Sequence, residues 1–289
     1  MAEPLLARRT VASAATVSGS GLFTGAPGSV QIMPAEAGRG IVFVTGGREI
    51  AALAANVWTP EHLPARNSCL RTADSRASVL TVEHVLSALA GMAITDAAIE
   101  VQGPEVPIAD GSALPFVDAI RDAGVRRIDG TMQPLIVRHR ISLRAPGAEI
   151  IAEPREDRGC VYRYELEYGL VPALARQVAE IELRGSESAD RYAAEIAPAR
   201  TFCLESEARA MRSAGLFAHL SPREMLVIGD HGPIDNTLRF ENEPARHKLL
   251  DLIGDLALIG RPIQGAIVAR KTGHATHRSF AEALLEAFA

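Results

Sequence analysis

Residues 79–92 read VLTVEHVLSALAGM, and their spacing decides how the rest of the chain is parsed. Val82, Val85, Leu86 and Leu89 recur at the three-to-four-residue interval of a helix, and Gly91 is a plausible stop. Just beyond, residues 97–101 read as a strand, a Gly/Pro-rich loop runs through Gly111, and Ser112 is placed to cap a helix reaching about Ala123. The same order returns near the end of the chain. Residues 245–259 are helical by the spacing of Leu249, Leu252, Ile253 and Leu256 and stop at Gly260; a strand over 263–269, a turn at Gly273 and a helix to Phe288 follow. Two runs of helix, glycine, strand, loop and helix predict an internal duplication.

The alternating Ile/Val pattern and short returns favour antiparallel sheets with helices on one face, an α+β layer architecture. Residues 29–33, 40–44 and 161–168 supply further strands. Between the halves, GVRRIDGTMQP at 124–134 is polar and glycine-bearing, which divides the chain into a first domain over 1–128 and a second over 129–289. The 289 residues fit two domains at about 150 each, and 47% hydrophobic residues can close two cores.

A net charge of −5 with 22% charged residues lacks the basic excess of a phosphate-backbone binder, which argues against a nucleic-acid partner. The start of the chain has no signal-peptide pattern, and no window reaches the roughly 18 apolar residues of a membrane span, so the expectation is a soluble cytoplasmic protein. Cys69, Cys160 and Cys203 are odd in number and form no C-x-x-C, so they are expected as buried reduced thiols. Of 30 cationic residues only Lys248 and Lys271 are lysines. A position that keeps lysine in so arginine-rich a chain suits a compact ammonium that arginine cannot mimic.

Three local patterns carry chemistry. In RHKLLD at 246–251, His247 and Asp251 are four apart and share a helix face, so both can reach one ion; a nitrogen and a carboxylate oxygen there suit Zn²⁺, although such a pair alone is more often a solvated helix pair. Asp255, one turn on, can orient a histidine or be an ordinary surface acid. In TVEH at 81–84, a histidine beside a carboxylate gives one residue to hold a metal and one to take a proton, or else a helix-start acid beside a partly buried histidine. In KTGH at 271–274, His274 stands on a glycine turn after a strand, where acid/base residues are commonly displayed. If the halves pack face to face, His84, His247 and Asp251 give three ligands and leave a fourth position for water, the count of a catalytic zinc. His62, His139, His219, His231 and His277 lack a comparable setting and are assigned surface or core roles. H-E-x-x-H, G-x-S-x-G and the P-loop are all missing, and GSG at 19–21 followed by Gly25 has the wrong spacing for a dinucleotide loop.

TVEHVLSALAGM, PEVPIADGSALPFVDAI, ARTF, LRFENEPARHKLLDLIGDLALIGRPIQGA and KTGH, in this order, resemble the zinc-dependent UDP-3-O-acyl-N-acetylglucosamine deacetylases of lipid A synthesis, the LpxC family, from about Thr10 to Phe288. The resemblance implies two similar α+β sandwich domains with the active site between their sheets. It implies one zinc held by His84, His247 and Asp251, with Glu83 as general base. His274 would stabilise the oxyanion and protonate the leaving amine, with Asp255 orienting it. Thr201 would add an oxyanion-side hydroxyl, Phe202 a ring near the sugar, and Lys248 and Lys271 basic positions toward the substrate. The implied partner is a nucleotide sugar with an acyl chain, reached without a transmembrane segment and with peripheral access to lipid.

The chain departs from the family pattern in four places. Gly-Leu-His-(Ser/Thr)-Gly is GLFTG at 21–25; Phe-x-His-Pro is replaced by YGLVP at 168–172; a Gly-Gly-Ser turn has become AHLSP at 218–222; a lysine before a proline reads Glu153-Pro154. These positions concern nucleotide and acyl-chain recognition and spare the zinc set. They leave room for a divergent zinc deacetylase acting on another N-acylated sugar or nucleotide sugar, and for a non-catalytic sugar-nucleotide-binding protein.

Overall fold

The computed structural model describes residues 5–61, 66–169, 171–221 and 224–288. His62, Leu170 and Pro222, singled out above, lie outside them.

Two sheets repeat one topology. In the first, β1 (Ala15–Ser20), β2 (Pro27–Pro34), β3 (Ile41–Thr45), β4 (Arg48–Ala51) and β5 (Ala97–Gln102) lie in the order β1-β2-β5-β3-β4. In the second, β6 (Ile141–Ala145), β7 (Ala148–Glu153), β8 (Cys160–Leu166), β9 (Gln177–Leu183) and β10 (Ile263–Arg270) lie in the order β6-β7-β10-β8-β9. The pairing senses also repeat: β5 runs parallel to β3 and β10 parallel to β8, and the other pairs in both paths are antiparallel. Each sheet is therefore mixed, which corrects the expectation of wholly antiparallel sheets. A parallel pair needs a long crossover, and in both halves that excursion carries the helix that bears the site residues. Strand alternation sets the faces: Ile263, Gly265, Ile267 and Ala269 of β10 are buried, while Gln264, Ala266 and Val268 are only partly so and Arg270 is exposed.

Six helices are described: α1 (Glu83–Gly91), α2 (Leu114–Ala123), α3 (Ala189–Glu195), α4 (Glu205–Ser213), α5 (Glu243–Leu256) and α6 (His274–Phe288). α1 and α5 pack on one another, and both are buried on nearly every face, although α5 carries Glu243, His247, Asp251 and Asp255 among its buried residues. Gly254 permits their contact, because a Cβ there would lie 2.1 Å from the Glu83 carbonyl oxygen. Leu86, Leu89, Leu252 and Leu256 belong to a single hydrophobic core drawn from both halves.

α1 starts four residues later than its periodicity suggests. Residues 78–79 pair as a strand with 70–71, and Thr81 adopts φ +59°. The left-handed region costs a β-branched residue about 1–3 kcal/mol, so the chain cannot enter the helix before Glu83. Thr81 is held by its own hydroxyl, which donates to Glu105 at 2.7 Å and accepts from Asn67 Nδ2 at 2.9 Å. α2 likewise begins at Leu114, whose N–H donates to the Ser112 hydroxyl at 3.2 Å. After α5 a short 3₁₀ turn over Ala257–Ile259 ends at Gly260, φ +80°. Residues 125–132, read from sequence as an irregular polar stretch, form a strand antiparallel to Leu6–Val11. Its polarity reflects exposure rather than lack of structure.

Candidate active site

The N-terminus of α1 meets the middle of α5. His84 Nε2 lies 3.7 Å and His247 Nε2 3.4 Å from Asp251 Oδ1. The two imidazoles meet edge to face with centroids 5.1 Å apart, and all three side chains are buried. The His247 Nδ1–H donates to the Ala199 carbonyl at 3.1 Å, which turns the Nε2 lone pair toward Asp251. His84 Nδ1 is buried with no partner among the described residues. These separations are too long for hydrogen bonds, yet they match the about 3.4 Å between ligand atoms that bonds near 2.1 Å impose on a tetrahedral ion. Neutral imidazoles are what such an ion requires. Burial holds His84 near 3, helped by His247, and burial also lowers His247. The three atoms fit a divalent metal.

One turn along α5 lies a second cluster of a different kind. Asp255 Oδ2 accepts from His274 Nδ1 at 2.8 Å and His277 Nδ1 at 2.7 Å, while Oδ1 accepts from the Ser68 hydroxyl at 2.5 Å. His277 Nε2 is in turn paired with Thr272 Oγ1 at 2.8 Å. Burial works against a charge on His274, but Asp255 overrides it and raises the imidazole to about 9. His274 is thus an imidazolium at neutral pH, with its Nε2–H free to face the first cluster, 3.8 Å from Asp251 Oδ2. His277, lowered by burial, stays neutral with its proton on Nδ1.

Glu83 feels the charges of both clusters. Burial, opposed by His274 and reinforced by Asp255 and Asp251, pushes its carboxyl up to about 8. A carboxyl poised near neutrality beside an imidazolium is an acid/base pair set apart by environment. Glu83 Oε2 accepts from the Ser68 N–H at 2.9 Å, so Ser68 holds Glu83 with its backbone and Asp255 with its side chain.

The remaining expected residues are distributed unevenly. Phe202 faces His247 at 6.4 Å between ring centroids and Tyr168 at 6.0 Å, and the Lys248 ammonium lies 5.8 Å from the Phe202 ring centroid. Lys248 also donates to Asp251 Oδ2 at 2.8 Å. Thr201 is fixed by its backbone, its N–H donating to the Gly111 carbonyl at 2.7 Å. The neighbouring Arg200 is locked in a buried pair with Glu243 at 2.9 Å. Lys271 stands apart: its ammonium pairs with Glu167 at 3.3 Å, and its backbone is left-handed at φ +54°. Both turns that deliver site residues, at Thr81 and at Lys271, therefore hold strained backbone.

The sequence does not single out Ser68, and His277, expected in a surface or core role, is buried but hydrogen-bonded to Asp255. Ser68 lies 187 residues from Asp255 with no local pattern to betray it, whereas His277 is three residues past His274 and helical spacing alone puts both on one face. Among the described residues, His139 packs on the Phe288 ring at 4.9 Å, and His219 and His231 are exposed, the surface roles expected of them. Two departures from the family pattern meet each other. Phe23 is buried against Phe217 at 5.5 Å, and His219 Nε2 pairs with the Gly21 carbonyl at 3.0 Å. Glu153 is paired with Arg140 at 3.3 Å. The three cysteines are free and buried.

Two mixed sheets of like strand order, with one histidine from α1 and a histidine and an aspartate from α5 beside a buried glutamate, define the class: an α+β protein with a candidate mononuclear metal centre. Residues 8–286 match the family described as LpxC, UDP-3-O-acyl N-acetylglycosamine deacetylase. A UDP-3-O-acyl-N-acetylglucosamine deacetylase of Anaeromyxobacter sp. (strain Fw109-5) is 36% identical over 280 residues, covering 96% of this chain and 88% of its own. Proteins of the same name from Leptospira biflexa and Geobacter sp. (strain M21) are 32% and 36% identical, each over 98% of this chain and 91% and 90% of their own. The chain belongs to the LpxC family. No helix among the described residues is long and apolar enough to cross a membrane.

Proposed function

We propose that this protein hydrolyses the N-acetyl amide of UDP-3-O-acyl-N-acetylglucosamine, releasing acetate, with one zinc ion held by His84, His247 and Asp251. The observation that carries the reading is the convergence of those three ligand atoms, from both halves of the chain, beside a buried Glu83 raised to about 8. When bound, the metal supplies Lewis-acid activation of a water and of the amide carbonyl. Glu83 accepts the proton of the attacking water, for which a carboxyl near the working pH is suited. His274, held as an imidazolium by Asp255, faces the charge that develops on the carbonyl oxygen and then donates a proton to the departing glucosamine amine. Thr201 adds a hydroxyl on the same side. Phe202 packs near the sugar, and Lys248 and Lys271 contribute positive charge toward the nucleotide.

Two repeat domains, 1–128 and 129–289, account for a site built at their junction, and the repeated strand order supports that division. A cytoplasmic location belongs to the same reading and is supported by the three unpaired thiols. The altered segments at Phe23, Glu153, 168–172 and 218–222 support a second reading, in which the enzyme prefers another N-acylated sugar or nucleotide sugar.

Acetate release by metal-loaded protein tests the proposal. The Glu83→Ala variant is expected to keep its metal and lose about 10²–10⁴-fold in kcat. Undiminished turnover in that variant contradicts the mechanism. A substrate panel separates the two readings: preference for an amide lacking UDP or the 3-O-acyl chain favours the second.

A further inference from the structure

α1 and α5 present a polar end to the candidate metal centre and an apolar end to a separate cavity of about 440 Å³, floored by Leu86, Leu89, Ile253 and Leu256. None of the metal-ligating or acid/base residues lines it. Its size falls in the about 300–1,000 Å³ range of pockets that enclose small ligands.

The mouth of this cavity is cationic. Arg9, Arg158 and Arg261 line it and have no carboxylate partner among the described residues, Arg261 donating instead to the Phe288 carbonyl at 3.1 Å; Arg39 and Arg184 also line it and are paired with Glu49 and Glu182 outside it. Glu187 is the single acid in the lining. Arg9 Nε is buried without a hydrogen-bond partner among the described residues, which leaves a guanidinium donor unsatisfied at the wall of an apolar space. Leu53, 42% exposed, is at the same mouth, and it and Leu5 are the large hydrophobic residues exposed among the described ones. An apolar interior behind unpaired guanidinium groups is complementary to one chemistry: an alkyl chain that ends in an anion.

We propose that this cavity, distinct from the candidate metal centre, binds a single-chain anionic amphiphile, with its alkyl chain between α1 and α5 and its carboxylate or phosphate on Arg9, Arg158 and Arg261. The site depends on neither the metal nor the deacetylase reading.

Calorimetric titration of the metal-loaded full chain with dodecanoate and with dodecyl phosphate, each below its micelle-forming concentration, tests this. Saturable binding at one per chain is expected, with decanoate, two methylenes shorter, about 15-fold weaker than dodecanoate, given about fourfold per methylene. Ala90→Phe, which places a ring in the cavity, is expected to weaken dodecanoate at least tenfold. Arg158→Glu, at an exposed rim position, is expected to weaken it about fivefold, and Arg76→Glu, on an unrelated exposed arginine, leaves it unchanged. The two headgroups distinguish a fatty carboxylate from a lipid phosphate as the preferred anion. Overturning results are no saturable binding, binding insensitive to Ala90→Phe, binding insensitive to Arg158→Glu, or binding lost on metal removal, which would put the anion at the metal centre instead. Capture by anionic vesicles without binding of monomeric dodecanoate also rejects the cavity in favour of surface attachment.

Discussion

His84, His247 and Asp251 form one histidine–aspartate triplet, and Asp255, His274 and His277 form another within a turn of α5. Both are buried and both bring their ligand atoms within 4.8 Å, yet their chemistry differs. In the second triplet every short contact is a hydrogen bond of 2.7–2.8 Å, with the protons already shared between imidazole and carboxylate. In the first, the nearest contacts are 3.4 and 3.7 Å, and a carbonyl holds the one assignable imidazole proton away from the cluster. Composition and proximity therefore do not define a metal site. What defines it is converging lone pairs with nothing between them to bind. A carboxylate that accepts from two histidines is instead a device for fixing a charge.

The largest effect should come from the first triplet. Treatment with a chelator, or His247→Ala, is expected to remove metal and turnover together, with metal content read by atomic absorption. His277→Ala, which removes a member of the second triplet, is expected to leave metal content unchanged. If the two variants lost metal equally, the contrast between the triplets would fail.

Next comes Asp255→Asn. His274 is charged below about 9 and loses its proton as pH rises through that value, so activity that needs the imidazolium declines on the alkaline side near 9. Without the Asp255 charge that limb should move toward acid by about 1–3 pH units. kcat at neutral pH should fall about 10–100-fold with metal retained. An unshifted alkaline limb would show that Asp255 does not set the charge on His274.

A smaller effect is expected at Ser68. Ser68→Ala keeps the N–H that holds Glu83 and deletes the hydroxyl that holds Asp255 Oδ1. One hydrogen bond to a charged group is worth about 1.5–3 kcal/mol, and since Asp255 keeps its two imidazole partners the lower end applies, so kcat should drop about 10-fold, with KM little changed. Ser68→Thr, which restores the hydroxyl, should recover most of the loss. Failure of the threonine to do so would assign Ser68 to packing rather than to the second triplet.

Much of this arrangement was legible in the sequence, for identifiable reasons. The helices bearing Glu83 and His247 show their period because both are sandwiched by apolar neighbours, and His247 and Asp251 declare themselves through the four-residue repeat. The repeated order of elements suggests the pairing of His84 with that helix if the halves pack face to face, and the resemblance implies the same set. What was hidden depends on contacts between distant segments. The parallel placement of β5 beside β3 and of β10 beside β8 is decided by crossovers, which strand alternation does not encode. The late start of α1 follows from Thr81 held left-handed by Glu105 and Asn67. Residues 125–132 form a strand because Leu6–Val11 lies alongside, although their own composition suggests a linker.

Diffraction from zinc-loaded crystals at the zinc absorption edge tests the central claim most directly. One anomalous peak per chain is predicted, bonded to His84 Nε2, His247 Nε2 and an Asp251 carboxylate oxygen at about 2.0–2.2 Å, with the Asp255 cluster free of metal. A peak within Asp255, His274 and His277, or no peak in protein that turns over substrate, would contradict it.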